Sequence, residues 1–200
     1  MLLNIAHTCV SREANGPGRR FTVWVQGCSR GCPGCFNPGL QPPEPRREAS
    51  AEEIAREARS QGEIDGVSLT GGEPFDQAEA LARFLDLLQP PTGRRALTVI
   101  AFTGYSLDEL RAGSPERRHL LDRVDLLVDG PYISELQADL ALRGSSNQRL
   151  YALTPTGEAV RAAVERTGRT VTEILIAPDG EIVFTGFPPW ELLRRVTQRL

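Results

Sequence analysis

Three of the chain's four cysteines, Cys28, Cys32 and Cys35, fall in one stretch, Gly27 to Pro45, that is rich in Gly and Pro and has no hydrophobic period. Such a stretch reads as one long loop, and an irregular loop of that length inside a compact domain is usually functional. It constrains the fold, because the elements on either side must hold the loop around whatever the thiols hold. Thiolates favour zinc or iron–sulfur clusters. Gly31 and Gly34 let the backbone wrap closely round a bulky centre. Structural zinc takes four protein ligands, whereas three thiols with no Cys or His close by leave one metal position open to exogenous chemistry. The alternative is a closed site in which Cys9 or His7 folds back as a fourth ligand. Taken alone, Cys9 reads as a small hydrophobe in the first strand, and neither His7 nor His119 belongs to a motif.

Composition narrows the setting of those thiols. Four cysteines in 200 residues are too few for a disulfide scaffold. The segment Met1 to His7 lacks the basic and apolar regions of a secretory signal, so a cytoplasmic protein is expected. Thiols in a reducing compartment serve as ligands or nucleophiles. No apolar run approaches the roughly 20 residues that span a bilayer, so no membrane is expected. A formal charge of -3 argues against bulk nucleic-acid binding. With 40% apolar and 24% charged residues the chain has the make-up of a globular protein. Its length suits one domain with a small appendage.

The remaining segments alternate between strand and helix. Leu2–Val10 and Phe21–Val25 read as strands, separated by the turn signal Asn15-Gly16-Pro17-Gly18. Ser50 with Glu53 forms a capping box ahead of Ile54, Ala55 and Ala58. Gly66–Thr70 reads as a strand, followed by Gly71-Gly72-Glu73-Pro74. Asp76 with Glu79 has the pattern of another cap, before a helix whose apolar face is Leu81, Phe84, Leu85 and Leu88. Pro90-Pro91-Thr92-Gly93 ends it. Ala96–Phe102 and Val124–Val128 are further strands, with helices opened by Ser106 and by Ser114-Pro115 between them. This order implies parallel βαβ units and a partial, open β/α barrel, in which a ligand sits at the carboxyl ends of the strands. The unusual loops, Gly27–Pro45, Gly71–Pro74, Thr103-Gly104-Tyr105 and Asp129-Gly130, all come directly after strands and are expected to converge on one face. Past Arg149 the pattern changes. Glu158–Thr167 reads as a helix, Val171–Ala177 and Glu181–Thr185 as a hairpin about Pro178-Asp179-Gly180, and Trp190, Leu193 and Val196 as a terminal helix. The expected division is 1–150 as core and 151–200 as a hairpin and helix appendage.

The set Cys-x3-Cys-x2-Cys after an early strand and Gly-Gly-Glu-Pro after a later one resembles the radical S-adenosylmethionine (SAM) enzymes. Five further pieces resemble one branch of them, the activating proteins of anaerobic ribonucleotide reductase. They are Asn15-Gly16-Pro17-Gly18 with Arg20, Cys32-Pro33-Gly34-Cys35-Phe36-Asn37, Thr103 to Leu110, Val128-Asp129-Gly130, and Arg143-Gly144-Ser145-Ser146-Asn147-Gln148. The resemblance covers roughly residues 3 to 150. Many radical SAM proteins carry an aromatic residue just before the third cysteine; here that place is Gly34 and the aromatic Phe36 comes after Cys35, as in the activating proteins.

The resemblance implies that Cys28, Cys32 and Cys35 hold a 4Fe–4S cluster and that SAM binds its open iron. Reductive cleavage of SAM would then give a 5′-deoxyadenosyl radical, with the protein orienting the cofactor and excluding water. It implies that Gly71 and Gly72 let backbone approach the methionyl group and that Glu73 accepts from its ammonium. It places Gly34, Cys35 and Phe36 against the adenosine and Thr103 at the ribose. No residue is assigned as a catalytic acid or base. The implied partners are a glycyl radical enzyme large subunit such as anaerobic ribonucleotide reductase, and an electron donor such as flavodoxin or ferredoxin.

Plainer readings stand beside these. Gly71–Pro74 is also an ordinary tight turn, and Thr103 a turn cap. Arg143–Gln148 either closes the site, meets a partner or bonds its own backbone. Phe187-Pro188-Pro189-Trp190 is a docking patch or packs on the core. Two other functions remain open: radical SAM modification of a peptide or small molecule, and a non-enzymatic Fe–S or zinc protein.

Overall fold

A computed structural model describes residues 1–88, 96–176 and 182–187. In chain order its elements are β1 Leu2–Ser11, β2 Arg20–Val25, β3 Arg47–Ser50, α1 Ala51–Ser60, β4 Gly66–Gly71, α2 Ala78–Leu88, β5 Thr98–Phe102, α3 Leu107–Ala112 and α4 Pro115–Leu121. They continue with β6 Leu126–Asp129, β7 Gln137–Leu140, β8 Arg143–Ser145, β9 Arg149–Ala152, α5 Pro155–Thr167, β10 Thr172–Ile176 and β11 Ile182–Gly186.

Local chemistry starts the helices where the sequence marks them. Ser50 Oγ accepts from Glu53 N while the Glu53 carboxylate accepts from Ser50 N, and Ser106 with Glu109 repeats this box. Ser114 caps α4 with Pro115 at its first position. The Asp76 cap is corrected: a single 3-10 turn, Pro74–Gln77, leads into α2, and Glu73 is the residue that caps it. Asp76 faces Tyr105 and Arg117 instead. The end signal Pro90–Gly93, the turn Pro178–Gly180 and the terminal helix around Trp190 lie outside the described residues.

Seven strands form one mixed sheet in the order β3-β1-β2-β4-β5-β6-β9. β2, β4, β5 and β6 run parallel. The parallel units implied by the alternation of strands and helices are found in these central strands, and the edge strands pair antiparallel. β1 pairs antiparallel with both β2 and β3, and β9 pairs antiparallel with β6. The Asn15–Gly18 turn is too short for a crossover helix, so β1 and β2 must run antiparallel. The architecture is thus mixed α/β built on a large mixed sheet.

Both faces of the central strands are covered, as buried parallel strands require. On one face Phe21, Val23, Val67, Leu69, Val99, Ala101 and Leu127 pack against Ile54, Ala55 and Ala58 of α1 and against Leu81, Phe84 and Leu85 of α2. On the other, Ile100, Leu126 and Val128 pack against Val160 and Val164 of α5 and against Ala141 and Leu142. Opposite the large core, β2 and β4 present polar residues instead: Arg20, Thr22 and Ser68, all buried. β10 and β11 form a separate antiparallel hairpin. No helix among the described residues is long and apolar enough to cross a membrane.

Candidate functional site

The carboxyl ends of the four parallel strands open onto one pocket of about 130 Å³. Cys28, Cys32, Cys35 and Phe36 reach it from the loop after β2. Gly71, Gly72 and Glu73 reach it from the turn after β4, Thr103 and Gly104 from the turn after β5, and Gly130 from the turn after β6. Convergence of these loops is therefore seen, and every candidate site residue except Gly34 lines the pocket. Gly34 sits just outside, left-handed at φ +70° against Ser134. A larger cavity of about 370 Å³ lies at the opposite ends of the strands, lined by Gly16 to Arg19, Leu142 and Val164. It contains no thiol, so size does not identify the chemistry.

Backbone contacts hold the cysteine loop onto the strand ends. Gly27 N donates to Leu40 O at 2.9 Å and Cys28 N to Gln41 O at 3.0 Å. Gly72 N donates to Val25 O at 2.7 Å and Glu73 N to Gly27 O at 2.9 Å. A Cβ on Gly72 would stand 2.0 Å from Gly27 O and 2.9 Å from Leu40 O. The close approach that Gly72 permits is that of the cysteine loop's own backbone. Gly71, at φ +105°, makes the preceding bend.

Glu73 is 1% exposed and locks two of these turns together. Its Oε1 accepts from Thr103 Oγ1 at 2.8 Å and from Phe75 N at 3.0 Å, and its Oε2 from Gly104 N at 2.8 Å. Burial pushes its pKa up to about 7 against the pull of these three donors. Thr103 Oγ1 also accepts from Tyr105 N at 3.0 Å, so it caps its turn while lining the pocket.

Tyr105 provides a second fastening. Its hydroxyl lies 3.0 Å from Ser29 Oγ, donates to Asp76 Oδ1 at 3.0 Å and accepts from Arg117 Nη2 at 2.6 Å. Asp76 Oδ2 accepts from Ser29 N at 2.9 Å. The guanidinium carbons of Arg30 and Arg117 stand 4.5 and 4.2 Å from the ring centroid. The residue next to Cys28 is thereby pinned to β5's turn and to α4. Tyr105 lies in a motif quoted from the sequence, but nothing local marks Asp76 and Arg117 as its partners. Gln148 Oε1 accepts from Gly144 N and Ser145 N while its Nε2 donates to Gly130 O. The Arg143–Gln148 segment therefore bonds its own backbone and also borders the pocket.

The three thiols suit an iron–sulfur cluster. All are partly buried, all line one pocket, and backbone amides point at two of them, Cys28 and Cys35. Asn37 N donates to Cys35 Sγ at 3.3 Å, and the amides of Arg30 and Gly31 pull on the Cys28 thiol against its burial. Cys9 does not join them. On β1 it pairs with Thr22 of β2, while Asn4 O of β1 accepts from Gln26 N beside the cysteine loop. At about 3.3 Å per residue Cys9 lies roughly 17 Å further along. Burial and the Glu173 carboxylate push its pKa up to about 12. His7 packs its ring on Trp24 of β2 at 5.7 Å.

For Phe187 the sequence leaves open a docking patch or the core. It is found at the pocket, edge-on to Phe36 with ring centroids 5.1 Å apart. Tyr132, which sequence reasoning missed, meets Phe36 from another side at 5.1 Å. An isolated aromatic residue in an irregular segment gives no signal of where its ring will land.

A family model described as "4Fe-4S single cluster domain" covers residues 14–151. The anaerobic ribonucleoside-triphosphate reductase-activating protein of Escherichia coli (strain K12) is 33% identical over 145 residues, 70% of this chain and 92% of that protein. The protein of the same name from Vibrio cholerae is 35% identical over 147 residues, again 70% and 92%. The crystal structure of QueE from Escherichia coli overlays with a TM-score of 0.45 at 18% identity, covering 64% of this chain and 71% of that one. With its thiols and glycine turn gathered at the carboxyl ends of the parallel strands, the chain belongs to the family of the anaerobic ribonucleoside-triphosphate reductase-activating proteins.

Proposed function

We propose that this chain is a cytoplasmic activase that holds a 4Fe–4S cluster on Cys28, Cys32 and Cys35, binds SAM beside it and generates a glycyl radical on a partner such as anaerobic ribonucleotide reductase. One observation carries the reading: all three thiols share a pocket with Gly71, Gly72, Glu73 and Thr103 at the ends of four parallel strands. The relatives' names supply the partner. When bound on Cys28, Cys32 and Cys35, the cluster with SAM would supply one-electron reductive cleavage of a C–S bond, the chemistry that abstracts hydrogen from a glycine Cα.

The residues of the chain do the rest. Gly71 and Gly72 present backbone beside the thiols. The Glu73 carboxylate supplies negative charge for the ammonium of SAM, which would draw its pKa back down. Thr103 would contact the ribose, Cys35 and Phe36 would flank the adenosine, and Gly34, just outside the pocket, would shape the loop that carries them. The mixed sheet curls as an open β/α barrel around these groups. Residues 1–150 act as the core that carries the chemistry, and 151–200 act as an appendage that bears on the partner. An electron donor such as flavodoxin or ferredoxin would supply the electron.

The test is anaerobic reconstitution with iron and sulfide, followed by reduction with SAM and the candidate reductase. We expect 5′-deoxyadenosine by chromatography and a glycyl doublet in the EPR spectrum. Absence of 5′-deoxyadenosine would reject the activity. 5′-Deoxyadenosine without a doublet on any glycyl radical enzyme would favour modification of a peptide or small molecule, a reading that draws on the reach of Phe187 into the pocket. Zinc at one equivalent in anaerobically purified protein, with no cluster formed, would favour a non-enzymatic metal protein.

A further inference from the structure

One wall of the pocket comes from outside the stretch that the family model matches. The family model ends at residue 151, yet Phe187, just past β11, lines the pocket beside Cys35 and Phe36. Three rings meet there over one glycine. A Cβ on Gly144 would stand 3.0 Å from the Phe187 ring, 3.1 Å from Tyr132 and 3.3 Å from Phe36. The backbone just before Phe187 is specialised as well: Gly186 is left-handed at φ +91°, and a Cβ there would stand 2.0 Å from Val171 O.

The hairpin that delivers this ring is fastened by hydrogen bonds and takes no part in the apolar cores. Among the described residues neither β10 nor β11 contributes to either core cluster. Thr185 Oγ1 accepts from Asn15 Nδ2 at 2.6 Å, and the Glu173 carboxylate accepts from the backbone of Arg12 and Ala14 at 3.0 to 3.1 Å. Elements with few buried apolar contacts open locally at low cost. With Phe187 in place the pocket is about 130 Å³, well under the roughly 300 Å³ at which ligand pockets begin.

We propose that Phe187, carried by the β10–β11 hairpin, is a displaceable wall of the cluster pocket. It shields the pocket while no partner is bound and must move aside before a glycine-bearing peptide segment can enter. The peptide in this statement rests on the proposed function; the wall does not.

The test uses the full chain with its cluster reconstituted and no partner present. It measures anaerobic iron release to bathophenanthroline disulfonate. Loss of the edge-on contact with Phe36 should make Phe187→Ala release iron about 2- to 10-fold faster than wild type. Phe187→Leu should fall between the two. Glu173→Gln loosens the hairpin far from the pocket and should also accelerate release. A wild-type rate in Phe187→Ala overturns the wall. Should Phe187→Ala fail to take up iron, a wild-type rate in Glu173→Gln overturns it. With SAM and reductant, partner-free 5′-deoxyadenosine formation by Phe187→Ala should approach the wild-type rate with partner; a ratio unchanged from wild type overturns the gating role. Wild-type protein that forms none under either condition rejects the proposed function, and iron release still decides the wall.

Discussion

The two ends of the parallel strands solve opposite problems with polar groups. At the amino ends Arg20 is fully buried, and its guanidinium is engaged entirely by the protein. Nε donates to Ser68 Oγ, Nη1 to Thr98 Oγ1 and Pro17 O, and Nη2 to Val67 O and Thr98 O, at 2.6 to 3.4 Å. Burial lowers its pKa to about 10, so it remains charged at neutral pH. Ser68 Oγ in turn donates to Asn15 O, and Asn15 reaches Ser11 and Thr185. At the carboxyl ends the thiols remain partly exposed, and glycine backbones crowd together so that a pocket survives. One end satisfies itself and fixes the strands; the other keeps donors in hand for chemistry. Stability and reactivity are thereby separated by the length of a strand.

That contrast can be broken most sharply at the thiols. Replacing Cys28, Cys32 or Cys35 with Ala should abolish iron uptake, whereas Cys9→Ala should retain it; iron analysis after reconstitution decides. The fold should survive all three, because partly exposed loop side chains contribute little to stability. Cys9→Ala that loses iron as completely as the others would overturn the three-thiol site.

At the amino end the expectation reverses. Arg20→Ala opens a cavity and strands the acceptors Val67 O and Thr98 O. It should destabilise by about 3–5 kcal/mol in urea unfolding. Any protein that still folds should take up iron.

Glu73 sits in the reactive half but has a structural task, and pH separates the two. Its folded pKa is raised, so the folded state binds the proton more tightly than the unfolded chain. Its stabilising contribution is therefore complete below the unfolded value near 4.5 and is lost as pH rises through about 7. The apo-protein should lose on the order of 2–4 kcal/mol across that window. Glu73→Gln should flatten the slope, read from unfolding midpoints at several pH values. A slope unchanged by the substitution would refute the assignment.

The smallest expected effect is at Tyr105. Tyr105→Phe removes the hydroxyl that joins Ser29, Asp76 and Arg117 but leaves both guanidinium–ring contacts. It should cost about 0.5–1.5 kcal/mol in urea unfolding. It should also speed iron release to a chelator, since the tether beside Cys28 is weakened.

Much of the scaffold was legible because its signals are local. Ser50–Glu53 and Ser106–Glu109 each span one helical turn, so a capping box can be read from four residues. Leu81, Phe84, Leu85 and Leu88 carry a helical period, and all four are buried. The loops that gather at the pocket were legible for a topological reason: in parallel βαβ units, the loops leaving the strands all emerge at the same end of the sheet. Strand direction at the edges was less legible. β3 and β9 are four residues each, too short to show a period, and their pairing depends on neighbours that no local pattern names. Asp76 matched a cap by spacing, yet Tyr105 and Arg117 claimed its carboxylate from other elements.

By itself the sequence determined the thiol spacing, the glycine turns, the helix starts and the family, because each is written within a few consecutive residues. Only the tertiary structure decided that Glu73 fastens two turns, that Arg20 saturates the far end of the sheet, that Cys9 stands well away from the other thiols, and that Phe187 reaches the pocket. Those outcomes depend on burial and on hydrogen-bond partners tens of residues away, and neither exists until the chain has folded.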